Sequence, residues 1–543
     1  MLSVRPATSR ALSAAFGIVG IGVLVALATD LALTMLTPAK FAFVVGGFAL
    51  LIPTIVLADP KPYWLFLLVF SVPFDISKVF SLRMVDSEAL VNMYGMPASG
   101  TIALEIYLTD VVLVAVLLPW LARLCRRRER LYFPKIGYLF VLYLGWALLV
   151  SLINSVSLYL TMFEFCRQIL YFLFFIYVIN NVKTLSQLRS VIWAVFLGFI
   201  IGAGSVIAFF ELGIGTQTVA FAALHDQPTT NAPKFGKAGT QGWAPQTLTL
   251  HNTNRGLGAL GITQDIQRSQ GMFRHPAIPA SLCGLVLPIV LAYMIAARNY
   301  RDRIVFFLIY AMGIVALLLT FSRAGLIGFV AGTVVFFVVA RWSRLISRRV
   351  LRLFAVTSLS AVALLVPLLL TYFGIRTETF FMRFTMMEAA VLGYAQHPVL
   401  GVGLNNGTAS MKQSRQELRD SGIPVAPAES ADSYYLAVLS EVGPFGSILF
   451  FGFFARIVML AMGGTREASP DIKPLLVGMV AGLGSLATQS LADGPMAGHA
   501  VSGTLWLFAA LIVAIRHYGP AQTRPLTAAR AAAPVGGYLQ SAP

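Results

Sequence analysis

The chain has 543 residues, of which 57% are hydrophobic and only 12% charged, and its mean hydropathy is +0.78. Soluble domains carry about 25% charged residues, so a water-soluble globular protein is excluded and an integral membrane protein is indicated. The net charge of +17 does not point to nucleic acid, because the positive residues sit in short clusters between apolar runs.

With about 20 apolar residues per crossing, the sequence predicts an all-α polytopic transmembrane bundle of about 14 spans. The first follows Arg5 and Arg10 and runs from about Leu12 to Leu36, too long for a signal-peptide core, so it is expected to stay as a span. The expected spans fall near 12–34, 41–58, 62–75, 104–122, 137–155, 163–180 and 191–212. A second series falls near 277–297, 304–321, 324–340, 353–373, 434–461, 474–491 and 500–515. The span near 62–75 is short and broken by Pro73.

Basic clusters set the orientation. Arg123–Arg130, Arg298–Arg303, Arg341–Arg352 and the tail arginines Arg516, Arg524 and Arg530 all fall on one side if the N-terminus is cytoplasmic. Both termini are then cytoplasmic, and residues 1–373 form the first set of helices, with external loops near 76–103 and 213–275. Residues 374–433 form a large periplasmic loop, 434–515 the last helices, and 516–543 a disordered cytoplasmic tail. Within the middle loop, Gln227–Gly261 is rich in Gly, Thr, Gln and Asn and carries no regular pattern. The large loop is expected to be partly helical, over Phe384–Tyr394 and Ser410–Arg419, with Pro424 and Pro427 ending that structure. A loop of this length between spans is long for a connection and points to function.

Arginine on the external side runs against the positive-inside bias. Arg268, Arg274, Arg323, Arg376 and Arg383 do so, and guanidinium suits bidentate phosphate contact. Pairing with a carboxylate, or reaching to headgroups, is the plainer role for any one of them. It fits Arg323 least, since a charge in a tight hairpin between apolar helices is costly unless used. Acid–base candidates are Asp432, Glu429, Glu388, His275 and His397. Each histidine precedes a proline, which suits a turn or span entry, and Asp432 could equally be a helix N-cap. Within spans, Glu164 and Arg167 are three apart and can pair. Asp110, Glu211 and Asp493 sit near span ends, while Glu441 is expected to face the bundle interior. Cys125, Cys166 and Cys283 have no metal-ligand or disulfide spacing, and no metal or cofactor is expected.

The segments RSQGMFRHP (Arg268–Pro276), FSRAGLIGF (Phe321–Phe329), HPVLGVGLN (His397–Asn405) and DSYYLAVLSEVGPFG (Asp432–Gly446) occur in this order. In that order the chain resembles the O-antigen ligase and polymerase superfamily of bacterial membrane glycosyltransferases over roughly residues 100–515. The resemblance implies a metal-independent transferase of the GT-C type in the inner membrane, acting on the periplasmic face. Its donor would be a glycan on undecaprenyl diphosphate and its acceptor a glycan or the lipid A core. The lipid bilayer, a flippase and a chain-length regulator complete the expected partners, with no nucleic acid. The reaction needs cations at the leaving diphosphate and a base at the attacking hydroxyl. Arg268, Arg274 and Arg323 are the candidates for the first, with Arg383 and Arg376 next. Asp432 is the candidate for the second, with His275 and His397 in reserve. Ligases of the family commonly have histidine and asparagine where this chain has Asp432 and Ser433, a departure that tilts the reading toward a polymerase of O-antigen or exopolysaccharide. A proton-coupled transporter and a non-catalytic export scaffold are the rival classes. Transporter sites lie near the midplane between repeats, whereas the unusual charge here gathers in the loops, and no internal repeat is visible.

Overall fold

The computed structural model describes residues 56, 60–80, 104–211, 247–248, 266–267, 269–273, 275–349, 351–352, 377–421, 433–494, 496 and 498–522. The spans expected at 12–34 and 353–373, and all of 41–58 except Val56, lie outside the described residues. The other eleven are each met by a helix.

Helix α1 (Lys61–Ser71) is short because Pro60 opens it and Pro73 follows its end. A two-stranded ribbon comes next, β1 (Ser77–Phe80) against β2 (Leu104–Tyr107), antiparallel with Ser77 opposite Tyr107. This ribbon, in what reads from sequence as loop and span, leads directly into α2 (Leu108–Cys125), where Asp110 accepts the Tyr107 amide at 3.0 Å. Helices α3 (Gly137–Asn154), α4 (Leu158–Asn181) and α5 (Leu185–Glu211) follow. A second small pair, β3 (Thr247–Leu248) with β4 (Ile266–Gln267), precedes α6 (Ala277–Ala296), α7 (Tyr300–Leu319) and α8 (Arg323–Trp342). The large loop carries α9 (Thr377–Gln396) and α10 (Gly407–Asp420), close to the two helical stretches expected there. The chain closes with α11 (Tyr434–Glu467), α12 (Lys473–Gln489) and α13 (His499–Gln522).

Nine helices among the described residues are long and apolar enough to cross a membrane. Helices α12 and α13 form the interior, and α12 packs tightly between α6 and α8. Small residues permit this approach: a methyl group on Gly332 of α8 would come 2.9 Å from the Ala481 carbonyl of α12. Helix α13 packs against α4 and α11 around Trp506, Phe453, Phe140 and Phe175, whose rings meet edge-on or tilted.

Most ion pairs among the described residues gather at one end. Glu129 bridges Lys61 and Arg123 at 2.8 Å each, Arg189 pairs with Asp471, and Arg516 with Glu467. The opposite end holds the α3–α4 turn, the α7–α8 turn, the α9–α10 pair and the start of α11.

Candidate functional site

At the end opposite the basic clusters, the first turns of α6 and α8 pack together. The Cβ position of Gly325 lies against Ala280, and the Ser269 amide bonds the Leu319 carbonyl at 3.0 Å. Ser322 caps α8, its hydroxyl accepting the Gly325 amide at 3.2 Å. Arg323 is therefore the first helical residue, half-buried, at the positive end of a 20-residue helix. A guanidinium at a helix N-terminus is an arrangement suited to an anion rather than to a cation partner. His275 stands ahead of α6 and its Nδ1 accepts the Ala277 amide at 3.2 Å. That nitrogen is occupied by a turn, the hydrogen-bonded structural role that a histidine before a proline suggests.

Beneath this turn lies Gln489, at the last residue of α12, packed against Gly328. It is buried, and neither its amide nitrogen nor its oxygen has a hydrogen-bond partner among the described residues. Buried polar groups are normally satisfied, so such an amide is available to a bound water or a substrate hydroxyl. Next along the chain, the Ser490 carbonyl accepts the Tyr434 amide at 3.0 Å, and the Ala492 carbonyl accepts from Arg383 at 2.6 Å. The turn after α12 thus ties together the starts of α9 and α11. Arg383 is exposed and spends one donor on this tether, leaving a planar group anchored at the rim. His397 is exposed in the turn after α9, where its amide bonds the Tyr394 carbonyl at 2.9 Å. Arg268, Arg274, Arg376, Asp432 and Glu429 lie outside the described residues; Ser433, which follows Asp432, is buried at the N-cap of α11.

The stretch from His397 to Asn406 is a strap. Helix α11 breaks at Gly443 (φ +66°), and the carbonyl of Ser440 would ordinarily accept from residue 444, which is proline and has no N–H. The strap supplies the missing donors: the Val402 amide bonds the Ser440 carbonyl and the Gly403 amide the Glu441 carbonyl, both at 2.9 Å. Trp146 donates its indole N–H to the Val442 carbonyl at 2.9 Å. Gly401 (φ +78°) has no room for a side chain, since a methyl group would lie 2.7 Å from the Glu441 carbonyl. On its other edge the strap is bonded to the α3–α4 turn. Asn154 donates to the Gly401 carbonyl, Ser151 accepts the Leu404 amide, and Thr161 donates to the Leu404 carbonyl, each at 2.9 Å. Asn406 accepts the Ser157 amide and donates to Thr161, also at 2.9 Å.

A second polar cluster lies under the β1–β2 ribbon. Arg167 pairs with Asp110 at 3.8 Å, a partner on another helix, and donates to the Glu105 carbonyl at 2.6 Å. Glu164 instead accepts from Gln168 at 2.7 Å. His499 stacks on Tyr107 with centroids 3.9 Å apart, and its Nδ1 lies 3.1 Å from the Tyr171 hydroxyl. Burial, with Asp75 nearby, pushes the Tyr107 phenol well above its usual value against the pull of Arg167. The phenol stays protonated and donates to Glu105 at 2.9 Å. Gln489, His499 and the buried Arg415 of α10 were not reached by sequence reasoning. The signal was weak, since Gln489 and His499 are single polar residues beside apolar runs and Arg415 is one of many polar residues in α10.

Comparison with known families matches residues 306–451 to the family model described as O-antigen ligase. The matched stretch holds Arg323, Arg383, the strap and the broken start of α11. It contains three of the four motifs on which the resemblance rests; Arg268–Pro276 lies before it. Comparison with curated proteins finds no match.

Proposed function

Because residues 306–451 match the O-antigen ligase family model, we propose that the protein is an inner-membrane glycosyltransferase acting on undecaprenyl-diphosphate-linked glycan. The active end is the one opposite the basic clusters, which faces the periplasm in the orientation those clusters give. The observation that carries this reading is Arg323 at the N-terminus of α8, inside the matched stretch and at the end opposite the basic clusters. An acceptor hydroxyl attacks the anomeric carbon as the bond to the diphosphate breaks, with inversion. The proton passes to the Asp432 carboxylate, and the charge on the departing diphosphate is met by Arg323 and the helix end, with Arg268 and Arg274 as further cations. In this reading arginine supplies the positive charge at the leaving group that a metal would otherwise supply. His275, with one nitrogen engaged by the turn, and His397, exposed at the rim, rank behind Asp432 as base. The family's lipid-linked glycan and lipid A core chemistry covers two acceptors. The aspartate at 432 favours another glycan, hence polymerase over ligase.

The test is deletion of the gene, complemented with wild type, Arg323→Ala and Asp432→Asn, with surface glycan resolved on gels and membrane levels checked. Single repeat units on lipid A core identify a polymerase; polymer retained on the lipid carrier identifies a ligase. Unchanged surface and secreted glycan in the deletion strain overturns the transferase reading. Wild-type glycan from both variants overturns the site.

A further inference from the structure

At the end that carries the basic clusters, four helix ends leave a cleft. The first turns of α5, α7 and α12 and the last turn of α6 surround a space of about 210 Å³. Pockets that enclose a drug-sized ligand run to roughly 300–1,000 Å³, so this one suits a headgroup rather than a nucleotide. Its inner walls are apolar, with Leu188, Ile192 and Pro474 buried and Tyr293 and Phe306 half-buried. Its mouth departs from the basic character of this end: Asp302, Asp471 and Arg189 line it, all exposed, two carboxylates against one guanidinium. Arg189 pairs with Asp471 at 3.2 Å, and Asp302 accepts from Asn299 at 3.3 Å. A carboxylate accepts about four hydrogen bonds and a guanidinium donates five, so each of the three has capacity left for an occupant. Arg303, in the first turn of α7, donates to the Ala297 carbonyl at 3.0 Å and does not line the cleft.

The apolar wall runs on into the surface that faces lipid. Phe306 stacks on Trp193 with centroids 6.3 Å apart, and Trp193 is 50% exposed. Beyond it, α5 presents Leu197 and Ile201 and α7 presents Phe307 and Leu308, all exposed. Tryptophan and tyrosine at a helix end mark the level of the headgroups, where one side of the ring is apolar and the other wet. An occupant that satisfies both parts of the cleft joins an apolar tail to a head of both charges. We propose that the cleft binds a zwitterionic aminophospholipid, its ammonium met by Asp302 and Asp471, its phosphate by Arg189, and its acyl chains lying over Phe306 and Trp193. An anionic phospholipid brings a phosphate to two carboxylates with no ammonium to meet them, which disfavours it here despite the chain's net charge of +17. The site is at the opposite end from the glycan-transfer rim and stands whether or not that reading holds.

The experiment reconstitutes the purified full-length protein in vesicles of phosphatidylethanolamine and phosphatidylglycerol in equal parts, extracts it gently, and counts retained lipid by native mass spectrometry. Wild type should keep one phosphatidylethanolamine in preference to phosphatidylglycerol. Asp302→Asn combined with Asp471→Asn should lower that retention about three- to tenfold, the size of two partly exposed ion pairs lost together. Ala296→Phe, which fills the cleft without changing its charge, should lower it as well. Phosphatidylglycerol kept equally or better overturns the aminophospholipid and makes the cleft an anionic-lipid site. Phosphatidylethanolamine kept undiminished by the double variant overturns the site, and so does a wild type that keeps neither lipid. In detergent, phosphatidylethanolamine should raise the unfolding temperature and phosphoethanolamine alone should not; an equal rise from the free headgroup overturns the lipid in favour of a soluble ligand. Should Ala296→Phe fail to fold, the double variant decides, since its two side chains are exposed and carry none of the core.

Discussion

Two polar regions share one end of this bundle. In the strap, the polar groups meet one another: proline leaves a carbonyl open, a strap amide fills it, and asparagine side chains join the other edge to the α3–α4 turn. At the rim, Arg383 is tethered but exposed, and the buried Gln489 amide has no hydrogen-bond partner among the described residues. Arg323, Arg383 and the strap lie in the stretch that matches the family, whereas Gln489 and the α3–α4 turn lie outside it. A match in sequence therefore covers both a hydrogen-bonded frame and the rim that we propose meets the ligand.

The comparison can be broken at either region. The largest effect belongs to the rim: Asp432→Asn should lower glycan transfer about 10²- to 10⁴-fold, the usual contribution of a general base, with little change in thermal stability. A variant that unfolds more readily but transfers normally would move Asp432 into the frame. On the frame side, Gly443→Ala forces a side chain into a left-handed conformation against the Val399 carbonyl. It should destabilise the protein by about 1–3 kcal/mol or more, read as a lower unfolding temperature in detergent. Asn406→Ala leaves the Ser157 amide unpaired and should cost about 1–3 kcal/mol in the same assay. Arg383→Ala removes one exposed bond to Ala492, so a tether alone predicts a stability loss of about 1 kcal/mol or less. A tenfold rise in donor KM would assign it to phosphate instead. The smallest effect lies at the basic end. Burial raises the Glu129 carboxyl, but bonds from Lys61 and Arg123 win and hold it below its ordinary value. A depressed carboxyl stabilises above its unfolded pKa and loses that contribution as pH falls through the folded one. Glu129→Gln should thus lower stability by about 1 kcal/mol or less at neutral pH, with the difference vanishing in acid.

The sequence made the frame of helices legible because about 20 apolar residues in a row allow few alternatives. It also made legible the helices of the large loop and the inward-facing Glu441. The strap was visible as a motif, HPVLGVGLN, but its purpose was not. That purpose depends on Pro444, far along the chain in helix α11, lacking an N–H. The ion pair of Arg167 went to Asp110 because packing, not spacing, chose the partner. The β1–β2 ribbon was missed since four-residue strands beside a span leave no periodic signature. Gln489 could not be marked, because an unpartnered amide is a fact of packing and not of composition.

The most direct measurement is glycan transfer from a polyprenyl-diphosphate donor by the purified protein in liposomes, wild type against Arg323→Ala. Loss of one preorganised charge contact at the leaving group should lower kcat about 10²- to 10³-fold while the variant stays folded. A folded Arg323→Ala protein that transfers glycan at the wild-type rate would contradict the assignment of this rim as the active site.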